Sequence, residues 1–161
     1  MAAAVLLVVR LNPAEGTRTK GTSVKLGFYV KHGEHVRLGG PGERVSPGDA
    51  LRFVYTTQNA RHLAILSVDG ARRASIYYPS GTTSAPVAAG DDIALPMSTV
   101  LDDTLGDETI FGVFCAESFA VEPLRAALEA SPDQAPALAG CVVEELTLRK
   151  DVTSEKVPPL P

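Results

Sequence analysis

Two stretches of this chain are apolar at nearly every position, and they decide what it can fold into. They read HLAILSV, residues 62–68, and ETIFGVFCA, residues 108–116. Side chains of a strand alternate between two faces, so a run that is apolar on both needs cover on both sides. Each run therefore predicts a central strand packed above and below.

Weaker strands surround them. SVKLGFYVK alternates, with Val24, Leu26, Phe28 and Val30 on one face and Lys25, Gly27, Tyr29 and Lys31 on the other. That is a half-buried strand, and HVRL after the Gly33 turn reads as its short partner. GGPGERVSPGD is turn chemistry. ALRFVYTT follows as a strand with Leu51, Phe53 and Tyr55 on one face. ASIYYP reads as the mate of HLAILSV, stopped by Pro79. The loop Asp69-Gly70-Ala71-Arg72-Arg73 makes the pair a hairpin, with Gly70 expected to supply a positive φ and Asp69 to accept from backbone amides. Residues 80–96 read as a long loop with one short strand around Ile93 and Leu95. CVVEELTLRKD is a last strand, with Val142, Glu144, Leu146 and Leu148 on one face.

The one convincing helix is VEPLRAALEA, residues 121–130, where Val121, Leu124 and Leu128 recur at helical spacing and Pro123 suits a first turn. Short strands between turns, with one late helix, predict a mainly β fold. It is a β-sandwich or a partly open barrel of short antiparallel strands with one peripheral α-helix. The expected division is an apolar N-terminal segment and polar linker over 1–22, a single β-rich domain over 23–150, and a proline-rich tail over 151–161.

Composition excludes several functions. A formal net charge of −4 opposes a nucleic-acid footprint, which needs a basic patch. Tryptophan is absent and aromatics make up 6 %, so stacking platforms for bases or sugars are not expected. Ala2 to Val9 is continuously apolar before Arg10. Such a run is too short to span a bilayer, which needs about twenty residues. It reads as a packed strand, a flexible end, or the last part of a membrane helix.

Few constellations suggest chemistry. His32 and His35, joined by Glu34, could touch a metal, but no third ligand lies nearby in sequence, and His62 is elsewhere. Acidic residues gather over 91–108, with Asp91 and Asp92 first, then Asp102, Asp103, Asp107 and Glu108. These four are the candidate ligands for a divalent-ion-binding or hydrolytic alternative, although their order does not match a twelve-residue calcium loop. GGPGER fits neither phosphate-binding fingerprint. No serine sits in G-x-S-x-G, and no catalytic residue or cofactor is expected. Cys115 and Cys141 are compatible with one disulfide or with two buried thiols. Arg72, Arg73, Tyr77 and Tyr78 are candidates for partner contact, because the hairpin tip is exposed and both residue types are enriched at interfaces. The alternative for them is packed tyrosines and solvated arginines.

Four motifs, in order, resemble a bacterial family known as domain of unknown function 4384. They are VSPGDALRFVYTT, HLAILSVDGARRASIYYPSG, IALP and LGDETIFGVFCAES, and the similarity runs from about Leu26 to Val143. Leu105-Gly106-Asp107-Glu108 departs from the family's more usual proline-glycine-threonine-glutamate. The nearest look-alikes resemble C-terminal domains of myxobacterial, anti-sigma-like membrane proteins. The resemblance implies a non-enzymatic sensory or protein-interaction domain, placed outside the cytoplasm and tethered through an upstream helix that Ala2 to Val9 would end. It also implies an oxidising environment for Cys115 and Cys141. The expected contacts are sheet edges and the loops over 80–108, with a protein partner. A structural spacer in an envelope assembly is a further alternative.

Overall fold

The computed structural model describes residues 24–152. The apolar run at 2–9, the linker and most of the proline-rich tail lie outside them. In chain order the elements are β1 (Val24–His32), β2 (His35–Leu38), β3 (Glu43–Val45), β4 (Ala50–Thr57), β5 (His62–Val68), β6 (Ala74–Tyr78), β7 (Ala85–Pro86), β8 (Gly90–Ala94), β9 (Thr99–Val100), β10 (Gly106–Cys115), α1 (Glu122–Ala130) and β11 (Cys141–Lys150).

They form two sheets. Sheet A has the order β2-β1-β4-β8, with β9 also pairing β4. Sheet B has the order β3-β11-β10-β5-β6, with β7 also pairing β5. The expected sandwich is therefore present, built almost entirely of antiparallel pairs. The exception is β3, a three-residue strand that runs parallel to β11.

Alternation places the core. Leu26, Phe28 and Val30 from β1 and Leu51, Phe53 and Tyr55 from β4 face Leu63, Ile65, Ile110, Phe114 and Leu148 of sheet B. The opposite face of sheet B carries Ala64, Leu66, Phe111, Val113 and Cys115, and these pack against Val121, Leu124 and Leu128 of the helical segment. This second core is why β5 and β10 are apolar on both faces: sheet A covers one side and α1 the other. A nine-residue helix is marginal alone. Burial of Leu124 and Leu128, worth roughly 1.5–3 kcal/mol each, holds it on the sheet.

The β5–β6 hairpin forms, but not as expected. Asp69 Oδ1 accepts from the amides of Ala71 and Arg73 at 2.9 Å each, as the turn chemistry predicts. The left-handed residue is Arg72, at φ 64°, rather than Gly70. The loop is a three-residue connection whose third position, ordinarily glycine, is an arginine. Gly70 is needed for a different reason. A Cβ there would lie 2.1 Å from the Leu105 carbonyl oxygen and 3.2 Å from the Gly106 Cα, so hairpin tip and 105–106 backbone are in direct contact. Gly70→Ala should cost about 1–3 kcal/mol by forcing them apart, read as a lower urea midpoint.

The hairpin also carries a bulge. Ile65 pairs with Tyr78 but Leu66 pairs with Ile76, so one extra residue enters β6. Tyr77 and Tyr78 consequently both lie against the inter-sheet core, where strict alternation would have divided them.

Candidate functional site

Cover is unequal between the two sheets. The outer face of sheet B lies under α1, whereas no described residue packs over the outer face of sheet A. Register assigns that bare face. Leu38, Tyr29 and Arg52 form one row across β2, β1 and β4, and Val36, Lys31, Ala50 and Val100 form the next. Gly27 and Val54 continue it with Ala94, and Lys25 lies opposite Thr56. Tyr29, Val36, Leu38 and Val100 are exposed at 41, 62, 65 and 67 %. Four large apolar side chains open to water on one sheet face are what a docking surface needs and what a stable free surface avoids.

The face has relief. A hollow of about 480 Å³ opens beside Tyr29 at the edge of β1, bounded on this face by Lys25, Gly27, Leu38 and Val54 and, around the edge, by Glu144 and Leu146 of β11. A second hollow of about 430 Å³ lies on the other side of Tyr29, among Lys31, Val36, Arg52 and Ala94.

A different cluster sits inside the sandwich, at the end where β10 starts and β11 stops. Lys150 and Glu108 are each 1 % exposed. Lys150 Nζ lies 3.2 Å from Glu108 Oε2 and also donates to Asp102, while the Tyr77 hydroxyl donates to Glu108 Oε1. Burial opposes the Lys150 charge, yet the hydrogen bond to Asp102 and the charge of Glu108 outweigh it, and the ammonium is held above its ordinary pKa. Burial first, then the Glu108 charge, pushes the Tyr77 phenol well above its ordinary 10.0. Hydrogen bonding to Lys150 lowers the pKa of Asp102.

The two raised groups act in one direction. Below pH 10.0 an unfolded tyrosine and an unfolded lysine both keep their protons, so the folded state has its full advantage. Above pH 10.0–10.5 the unfolded chain loses those protons first, and stability falls as pH rises toward the folded values. The urea midpoint should drop steeply through that window, and Tyr77→Phe should flatten part of the slope. A midpoint that holds its neutral value above pH 10.5 would contradict it.

The sequence candidates are divided by this geometry. Tyr77 is not at the hairpin tip; it is partly buried against the inter-sheet core, its ring 6.2 Å from Phe53. Tyr78 is half-buried on the same side. Arg72 is exposed and bound by two hydrogen bonds, 3.0 and 2.8 Å, to Asp133, which ties the tip to the segment after α1. Arg73 is exposed on the hairpin. The four acidic candidates do not share one site: only Asp102 and Glu108 come together, on either side of Lys150. Asp107 pairs with Arg149 at 2.8 Å, Glu108 is inside with Lys150, Asp102 accepts from Thr104 N and Lys150, and Asp103 is exposed. Among the described residues no three histidine, cysteine or acidic side chains are arranged to hold a metal. Millimolar calcium or magnesium should therefore leave the melting temperature unchanged; a rise would restore the ion-binding alternative.

His32 and His35 line a cleft of about 540 Å³ with Arg37, Arg44 and Asp49. There the buried Asp49 carboxylate meets His32 Nδ1 and the Ser46 amide. GGPGER is structural. The Gly39 amide donates to the Phe28 carbonyl at 2.9 Å, and the Phe28 ring fills the place of a Gly39 Cβ. Cys115 and Cys141, opposite one another on β10 and β11, form a disulfide on the helix side of sheet B. No helix among the described residues is long and apolar enough to cross a membrane.

Sequence reading singled out none of Val36, Leu38, Val100 and Lys150. For Lys150 the signal was there: it shares the parity of Leu146 and Leu148 and must point inward with them. No family model matches the chain, and no curated protein matches it.

Proposed function

We propose that this protein is a non-enzymatic interaction module that docks a protein partner on the outer face of sheet A. The observation that carries the reading is the unequal cover of the two sheets, which leaves Tyr29, Val36, Leu38 and Val100 open to water on one face. The segment over 80–108 contributes Ala94 and Val100 to that face through β8 and β9, and β2 and β8 are its edges. Lys150 and Glu108, both buried, with Tyr77 hydrogen-bonded to Glu108, support the frame rather than a reaction.

The Cys115–Cys141 bridge favours an oxidising compartment, since such bonds persist outside the reducing cytosol. Together with the motifs that resemble domain of unknown function 4384, it supports an extracytoplasmic module of a membrane-tethered bacterial regulator. The test is a photo-crosslinking residue at Val36, compared with one at the exposed Ala126 of α1, in the source cell. One partner crosslinked from Val36 and not from Ala126 is the expected result. Equal crosslinking from both positions, or none from Val36, would overturn the reading.

A further inference from the structure

The geometry points to the chemistry of that partner: an acidic, extended segment of another protein, with apolar side chains in the two hollows beside Tyr29 and carboxylates against Lys25, Lys31 and Arg52. This inference rests on the docking reading above and adds to it the class of occupant.

Charge is the first argument. The chain carries a formal net charge of −4, yet this face presents Lys25, Lys31 and Arg52. Lys25 and Lys31 make no ion pair with any described residue, and Arg52 spends only its Nε, on the Leu95 carbonyl at 3.0 Å. Two carboxylates, Asp92 and Glu144, border the first hollow beside Lys25, whereas the second holds Lys31 and Arg52 and no carboxylate. Unpaired cations around apolar hollows complement an acidic ligand and repel a basic one. They also oppose a second copy of this chain packed face to face, because that would stack like charges.

Geometry is the second. Residues two apart on a strand are about 6.6–6.8 Å apart on one face, for a ligand as for a sheet. A segment laid along β1 therefore presents every second side chain to successive rows. Leu38–Tyr29–Arg52 and Val36–Lys31–Ala50–Val100 are two such rows, each with apolar and cationic members. Apolar and acidic residues together suit both rows.

A displayed library of random peptides, selected on the full chain, provides the probe. Enriched peptides should combine aspartate or glutamate with large apolar residues. Their binding should shift the amide resonances of Tyr29, Val36 and Leu38 and weaken as salt rises. The variant Lys25→Glu/Lys31→Glu/Arg52→Glu, altered only at exposed positions and checked for folding by circular dichroism, should bind at least tenfold more weakly. Peptides that map to this face without acidic enrichment, and bind independently of salt, would overturn the acidic class while leaving the docking face in place. Peptides that map elsewhere, or no enrichment over an unrelated protein, would overturn both. A dimer in sedimentation velocity that Leu38→Asp abolishes would make the occupant a second copy and overturn the inference.

Discussion

Lys150→Met should lower the unfolding free energy by about 3–5 kcal/mol, the usual cost of leaving a buried charge without its counter-ion. The cost arises at Glu108. Its carboxylate is shut inside the sandwich, with Tyr77 donating to one oxygen and only Lys150 facing the other. Removing the ammonium leaves a negative charge in a place water does not reach. Lys150→Met/Glu108→Gln keeps an acceptor for the Tyr77 hydroxyl and removes both charges, so it should recover most of the loss. Urea unfolding of the two variants at neutral pH checks this. A single-variant cost below about 1 kcal/mol, the range of an exposed pair, would mean that Glu108 is not confined as described.

Removing the disulfide should cost nearly as much. The bridge spans a sequence separation of 26 residues, for which chain entropy alone gives about 3.5 kcal/mol. Cys115→Ala/Cys141→Ala should lose that amount against the oxidised protein and remain folded, because the remaining β10–β11 ladder runs from Phe114–Val142 to Gly106–Lys150. The damage should be local. The bridge closes the loop that contains α1, so amide exchange should accelerate most over 116–140. Alkylation without reductant should add no mass to the native protein. Two alkylated thiols, or a loss under about 1 kcal/mol, would contradict this account of the bridge.

Much of the sandwich was legible because period-2 alternation is a local property. The faces of β1 and β4 follow from parity alone, and the doubly apolar β5 and β10 announced two covering layers. What covers each sheet was not legible. Whether 121–130 docks on sheet A or sheet B depends on long-range packing, and that choice decides which face stays bare. The parallel β3–β11 pair is three residues long and has no sequence signature.

The acidic run misled for a related reason. Asp107 and Glu108 are neighbours in sequence but point to opposite faces of β10, one to water beside Arg149 and one to the core beside Lys150. Glu108 shares the parity of Ile110 and Phe114, so its burial could have been read, but its partner could not without the β10–β11 register. The face of Tyr78 was not legible, since a bulge inserts one residue into β6 and reverses the parity of everything after it. Gly70 was assigned to backbone freedom when its role is close approach to Leu105.

These elements divide the molecule by task. The disulfide, α1 and the Lys150–Glu108–Tyr77 cluster brace sheet B, while sheet A keeps an outer face that adds little to folding. The most direct measurement is therefore on Leu38→Asp, with a photo-crosslinking residue at Val100, taking urea midpoint and crosslink yield together. The expected result is an unfolding free energy within about 0.5 kcal/mol of the parent, as for a surface change, with the partner crosslink lost. A full crosslink on a stable Leu38→Asp protein, or a loss of stability comparable to a core substitution, would contradict the assignment of this face to binding.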